Sequence, residues 1–275
     1  MTRPPLVVIR GAGDLATGCA VRLARSGFGL VLTELPSPTV VRRTVAFAEA
    51  VHAGEAVVEG VRARRARDAN EARAIVAAGH VAVLVDPAGH VAAELGPAVV
   101  VDARMAKRNL GTSLADAEIV VGLGPGFRAG RDVHAVIETN RGHMLGAVIL
   151  DGEAEPNTGV PGEIAGHDVE RLLRAAGPGT LRSHRAIGDR VEAGAVVADV
   201  DGQPVRAQIA GILRGLIRDG TVVRQRQKVG DVDPRARREH CFTVSDKARA
   251  VAGGVLEAIL ALRGGITTRA PRRIG

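Results

Sequence analysis

The stretch Leu6-Val7-Val8-Ile9-Arg10-Gly11-Ala12-Gly13-Asp14-Leu15-Ala16-Thr17-Gly18 decides the fold. Four branched apolar residues in a row read as a strand buried on both faces, and the glycines directly after them mark a sharp turn into a helix. From Leu15 to Ser26 apolar residues return at helical spacing, and Gly27 is placed to end the helix. Leu30 to Thr33 then gives a second strand, closed by Glu34 and the break Pro36-Ser37-Pro38. A strand, a glycine turn, a helix and a strand make a βαβ unit.

Outward from this unit, further strands are expected at Val81 to Val85, Val99 to Asp102, Ile119 to Gly122, Val133 to Glu138 and Ala147 to Leu150, with helical stretches near 39–52, 68–78 and 111–117. The alternation predicts an α/β fold, a Rossmann-like doubly wound parallel sheet over 1–151. Gly, Pro and Glu punctuate 152–182, which reads as a connector with a short helix around Asp168 to Ala176. Two similar segments, IGDRVEAGAVVADV from Ile187 and IRDGTVVRQRQKVGDV from Ile217, predict a small pseudo-symmetric β sandwich over 183–234. A C-terminal helix within 235–262 and a basic tail at 263–275, expected to be disordered, complete the chain.

With 46% hydrophobic residues in 275 and a mean hydropathy of +0.11, the chain has the material for a sizeable core. No apolar run approaches about 18 residues, and Met1 leads almost directly into the first strand, so neither a membrane span nor a secretory signal is expected. Cys19 and Cys241 cannot build a disulfide framework or a thiolate metal cluster, which makes a reducing cytoplasm the expected compartment. The net charge is +7, and lysine occurs only at 107, 228 and 247, the other basic residues being arginine. Trp and Tyr are absent and Phe occurs four times, so no stacking platform for single strands exists and the charge points to anionic small molecules, not nucleic acid.

Gly11, Gly13 and Ala16 match the dinucleotide fingerprint G-x-G-x-x-[GA], and Glu34 stands where such folds hold a ribose hydroxyl. Asp14, inside that turn, repels pyrophosphate unless it caps the helix or meets a cation. A second cluster follows a strand end, with Asp102 succeeded by Arg104, Lys107 and Arg108. The densest cluster sets Gly122, Gly124 and Gly126 around Pro125, followed by Arg128, His134, Glu138, Asn140, Arg141 and His143. His134 and His143 suit proton transfer near neutral pH, or metal ligation, though no metal is assigned to the chain. Cys241, beside His240 and after Arg237-Arg238, is a candidate low-pKa thiolate. Cys19 reads as core and Ser245 as the N-cap of the last helix.

In chain order, IRGAGDLATG, RRTVAFAEAV, VVDARMAKRNLG, GLGPGFRAGRDVHAVIETNRGH, EPNTGVPGEI, VRAQIAGILRGLIRDG, KVGDVDPR, the His240-Cys241 pair, SDKARA and GGVLEAIL resemble the YqeB-type proteins, accessory factors of a selenium-dependent molybdenum hydroxylase system. The resemblance covers roughly 5–262. It implies an N-terminal domain similar to that of XdhC-type maturation factors and a part in maturation or insertion of the molybdenum cofactor. The implied ligand is that cofactor or its nucleotide form, and the implied partner is the apo-hydroxylase. Carried onto this chain, the implied pocket is Gly11, Gly13, Asp14, Asp102, Arg104, Lys107 and Gly122 through Arg128, with His134, Asn140, Arg141 and His143. Cys241 is then a candidate relay for sulfur or selenium.

One departure is Arg226, which stands where the pattern has glycine. The small β domain is similar to biotinyl or lipoyl carriers, but Asp201-Gly202-Gln203-Pro204 occupies the hairpin where a carrier holds its lysine, so covalent carriage is not expected. Two other classes stay open. One is an NAD(P)-dependent oxidoreductase using Gly11, Gly13 and Glu34, and the other is a non-catalytic scaffold docking through 183–234.

Overall fold

In the computed structural model, β1 (Leu6–Arg10) runs into α1 (Asp14–Arg25) and the chain returns in β2 (Gly29–Glu34). The structure describes residues 5–157, 159 and 163–264, so residues 158 and 160–162 of the EPNTGVPGEI segment and the expected tail from 265 onward lie outside it. After β2 come α2 (Ala50–Ala53), the hairpin of β3 (Glu55–Val58) and β4 (Val61–Ala66), α3 (Ala69–Ala77), β5 (Val81–Val85), α4 (Val91–Leu95), β6 (Val99–Asp102) and β7 (Ile119–Leu123). The short strands β8 (Arg128–Ala129), β9 (Ala135–Ile137), β10 (Val148–Ile149) and β11 (Gly152–Glu153) finish this half.

Nine of these strands form one sheet in the order β10-β9-β7-β6-β1-β2-β5-β4-β3. β1 lies near its centre, parallel to β2 and β6. Val7 and Ile9 face one layer and Val8 the other, all fully buried, which is why the run is apolar without alternation. Burying each such side chain contributes about 1.5–3 kcal/mol. One face is covered by α1, by the segment around Phe47 and by the last helix, which spans Asp246–Arg263; the other is covered by α3, α4 and Phe127.

The second half holds β12 (Leu172–Arg174), β13 (Gly179–Ser183), β14 (Arg190–Val191), β15 (Val196–Val200), β16 (Gln203–Arg206), β17 (Gly211–Leu216), β18 (Val222–Val223) and β19 (Lys228–Asp233), before α5 (Asp246–Arg263). They make two antiparallel sheets, β12-β19-β17-β14 and β16-β15-β13-β18, over a shared core of Leu181, Val197, Leu213 and Val229. The two similar segments trade places between them. The first gives β14 to one sheet and β15 to the other, and the second gives β18 and β19 the opposite way.

The expected Rossmann-like doubly wound parallel sheet followed by a barrel-sandwich domain is therefore corrected to a mixed sheet with two antiparallel sheets beside it. At both edges of the large sheet the chain reverses: β3 pairs antiparallel with β4, and β10 with β9. The reversal at Glu59-Gly60 takes positive φ at both residues, the geometry of a tight hairpin, so no crossover helix intervenes. In the small unit an outer strand comes from 172–174, within the expected connector. The helix expected at Asp168 to Ala176 is a 3₁₀ turn, Val169–Arg171, followed by β12, because Leu172 and Leu173 pair with β19 and are buried there. The stretch 39–52 breaks into two 3₁₀ turns and α2, and 111–117 holds one 3₁₀ turn, Leu114–Asp116.

Arg226 takes φ +62, the left-handed conformation that the glycine of the pattern adopts without strain. Among the described residues no helix is long and apolar enough to cross a membrane.

Candidate functional site

A cleft of about 530 Å³ opens where the small β unit meets the large sheet. Small-molecule sites have this scale. One wall is made at the C-terminal ends of the parallel strands, where open α/β sheets place ligands. Asp14 and Leu15 follow β1, Met105 and Lys107 follow β6, Pro125 follows β7, and Thr139, Asn140 and Arg141 follow β9. The facing wall is Arg171, Arg174, Arg214, Lys228 and Asp231 of the small unit. Glu155, Asn157, Ser245 and Lys247 close the sides, and the buried Arg42 and Arg214 form the floor. Among the described residues, eight Arg and Lys side chains thus face only Asp14, Glu155 and Asp231.

Each wall is held in place from behind. Glu138 is buried and accepts the amides of Asn140 at 2.6 Å and Glu155 at 2.8 Å, tying the end of β9 to the 155 segment. Arg141 makes a two-pronged contact with Asp246, at 2.8 and 2.9 Å; that bond holds the Asp246 carboxyl well below the usual range and raises Arg141. In the small unit Arg171 meets Asp231 at 3.0 Å with both side chains buried. Burial alone would raise Asp233, but hydrogen bonds from Arg235 and the charges of Arg235 and Arg214 hold it at about 2. In two of the three cleft lysines burial prevails. Burial between the walls lowers Lys247 and Lys228, the latter still keeping open surface toward the cleft.

Of the residues singled out from sequence, Asp14, Lys107, Pro125, Asn140, Arg141 and Ser245 line this cleft. Asp14 opens α1 and does meet a cation, its Oδ2 lying 3.6 Å from Nη1 of Arg42; Gly13 just before it is the N-cap and offers no side-chain bond. Gly11, Glu34 and Arg104 instead border a separate hollow of about 40 Å³. Gly11 takes φ +100, and a Cβ there would press on the Ala103 carbonyl at 3.1 Å. Glu34 accepts the amide of Ala12 at 2.9 Å and its neighbour Leu35's at 2.8 Å, so this carboxylate fixes the glycine turn from within the protein. Asp102 is buried, bonded to Arg104 and to the Thr112 hydroxyl at 2.6 Å.

The glycines of the third cluster are packing positions. A Cβ at Gly122 would meet the Phe127 ring at 2.6 Å, one at Gly126 would meet the backbone of Arg108 at 2.6 Å, and Gly124 abuts the Thr139 hydroxyl. They draw the Lys107 loop and the end of β9 onto one rim. Arg128 is exposed and pairs with Glu153 at 3.3 Å, away from the cleft.

His134 is placed apart from the cleft as well. Its Nδ1 accepts the Val120 amide at 3.0 Å, and burial lowers its pKa, a histidine held neutral by the sheet. His143 is exposed and does not line the cleft. The low-pKa thiolate expected at Cys241 is corrected, since the side chain is fully buried, burial pushes the thiol up, and Sγ lies 3.8 Å from the Leu213 carbonyl. Cys19 lies in the core, its thiol pushed up to about 12 by burial. Among the described residues no group of three His, Cys, Asp or Glu is placed to hold a metal ion.

Sequence reading missed the facing wall. Arg214 interrupts an otherwise apolar run, Gly211–Leu216, and Lys228 and Lys247 are two of only three lysines; these were the available signals.

Fold and site together define a two-unit α/β protein with a cationic cleft between its units. No family model matches the chain. It is 51% identical over 257 residues to the uncharacterized protein YqeB of Escherichia coli (strain K12), a match taking in 94% of this chain and 48% of that protein. The chain is a YqeB homologue that spans about half the length of this relative. Solved structures with some likeness are an aspartoacylase family protein from Mesorhizobium loti, with 14% identity, 86% of this chain and 87% of that one covered and a TM-score of 0.29, and a succinylglutamate desuccinylase from Silicibacter sp. TM1040, with 13% identity, 84% and 85% covered and a TM-score of 0.24. Superpositions this loose carry no weight for the fold or activity of this chain.

Proposed function

We propose that the chain is an accessory factor that binds an anionic pterin or nucleotide in the cleft between its two units, serving maturation or insertion of the molybdenum cofactor in a molybdenum hydroxylase. The observation that carries the reading is the surplus of eight cationic side chains over three acidic ones in a single cleft at the strand ends. The ordered motifs shared with YqeB-type proteins supply the setting. An oxidoreductase that seats NAD(P) on the glycine turn has less support, because Glu34 is bonded to Ala12 and the hollow beside it, at about 40 Å³, cannot seat a dinucleotide. A relay of sulfur or selenium through Cys241 is not supported by a fully buried thiol.

The test is anaerobic calorimetry of the full chain with molybdenum cofactor, CTP, ATP, NAD and NADP at fixed salt. Saturable binding of the cofactor or a cytidine nucleotide, one per chain, is the expected result. Selective binding of NAD or NADP would transfer the protein to the oxidoreductase class.

A further inference from the structure

The floor of the cleft is built from two buried arginines, one from each unit. Arg42 is 8% exposed, and its Nη2 donates to the carbonyls of His240 at 2.9 Å and Thr243 at 3.1 Å. Its Nε and Nη1 have no hydrogen-bond partner among the described residues. Arg214 is 6% exposed, and its Nε is likewise unpartnered, with Asp233 at 3.7 Å and, from Nη1, Asp231 at 4.0 Å. Burial lowers the pKa of Arg42, and the charge of Arg214 lowers it further, so the two guanidinium groups sit within each other's field. Leaving a buried donor without an acceptor costs about 1–3 kcal/mol, more for a charged group. A floor that holds three such donors on two like charges is shaped for an acceptor with several oxygens and a negative charge.

The local acids do not supply it. Asp231 and Asp233 give their hydrogen bonds to Arg171 and Arg235 and reach Arg214 only as ion pairs at 4.0 and 3.7 Å, Asp14 stands 3.6 Å from Arg42, and with Glu155 these carboxylates face Arg42, Arg214, Lys228 and Lys247 without bonding the free donors. The lysines add an independent sign. In a chain whose basic residues are almost all arginine, every one of the three lysines lines this cleft. An ammonium sets three donors on one compact atom, which suits an oxyanion approached by several cations at once, beside the planar guanidinium groups of Arg42 and Arg214.

We propose that the floor between Arg42 and Arg214 is a subsite for a phosphate group of the ligand, with Lys228 and Lys247 closing on it, and that the phosphate joins the two units. This rests on the reading of the cleft as an anion site. A pterin phosphate monoester and a nucleotide diphosphate share this chemistry, and the probes below separate them.

The experiment is calorimetry and thermal melting of the full chain with inorganic phosphate, inorganic diphosphate, CTP and molybdenum cofactor at fixed ionic strength. The variants are Arg214→Gln, the pair Lys228→Ala with Lys247→Ala, and Arg128→Ala, which removes one charge, as Arg214→Gln does, on an exposed site outside the cleft. Diphosphate or phosphate is expected to bind one per chain and raise the midpoint, with affinity about ten-fold or more weaker in Arg214→Gln and in the lysine pair and unchanged in Arg128→Ala. Preference for diphosphate and CTP marks a nucleotide, and preference for phosphate and the cofactor marks the pterin ester. Should Arg214→Gln disturb folding, the lysine pair, whose side chains reach open surface, carries the result. Equal loss in Arg128→Ala, or CTP or cofactor bound as tightly by the floor variants as by the wild type, overturns the subsite and leaves the cleft reading standing. Failure of the wild type to bind any of the four probes overturns both.

Discussion

Lys247 lies half-buried at the start of α5, and burial, then the charge of Arg141, lowers its pKa, with Asp14 and Glu138 pulling the other way and Lys228 adding to the fall. The sign follows from linkage. In the free protein, over the window from the lowered value to the ordinary 10.5, the unfolded chain holds more protons at this site than the folded one, so stability rises with pH. An anion restores the ammonium, so binding takes up a proton and affinity falls with rising pH across the same window. The two curves therefore slope in opposite directions. Lys247→Arg, charged throughout, should flatten both, as read by calorimetry in two buffers of different ionisation heat and by melts from neutral to alkaline pH. Proton uptake that is unchanged in the arginine variant would remove Lys247 from the site.

At the scale of elements, the contact of α1 with α5 fixes how the C-terminal helix returns to the large sheet and so where Ser245 and Lys247 stand. A Cβ on Gly18 would come within 2.8 Å of the Ala248 Cβ, whereas one on Gly253 would meet nothing within 4 Å. Gly18→Ala is expected to destabilise by about 1–3 kcal/mol through overpacking, and Gly253→Ala to stabilise by about 0.5–1 kcal/mol through lost chain freedom. Melting temperatures that move in the same direction for both would mean the helices do not pack in this register. Elements buried on two faces were the legible ones: Leu6–Arg10, Gly29–Glu34, Val81–Val85, Val99–Asp102 and Ile119–Leu123 all read as apolar runs. The β3–β4 hairpin escaped because it lies at the margin of the sheet, where Arg62, Arg64 and Arg65 interrupt the apolar pattern of β4 and the open strand, β3, is only four residues long and begins with a glutamate. The helix expected at 168–176 failed for a long-range reason, since Leu172 and Leu173 have their partner strand more than fifty residues later. The near wall of the cleft was legible because strand ends of a parallel sheet gather ligand groups; Arg171, Arg214 and Lys228 arrive only when a second unit docks, which no local spacing encodes.

That docking is the property of the whole molecule on which the site depends. The segment 41–44 forms the seam: Arg43 Nε donates to the Leu216 carbonyl at 2.7 Å, the Thr44 hydroxyl to the Cys241 carbonyl, and Arg218 reaches Glu49 at 3.1 Å. Gly215 lies against it so closely that a Cβ would fall 2.7 Å from Val41 Cγ1 and 2.8 Å from the Val41 carbonyl oxygen. Its neighbour on β17 is Arg214 and the neighbour of Val41 is Arg42, so the glycine sets the spacing of the two guanidinium groups in the cleft floor. Gly215→Ala changes no charge and adds no group to the cleft, yet it must push β17 off the 41–44 segment. Diphosphate affinity is then expected to fall by about ten-fold, with the cost to stability held to about 1–3 kcal/mol, as for other overpacked sites. Calorimetry beside a denaturant melt separates the two effects. A variant that loses stability but binds diphosphate as the wild type does would mean that one unit alone holds the anion, because a site shared across the seam has to feel a change in its width.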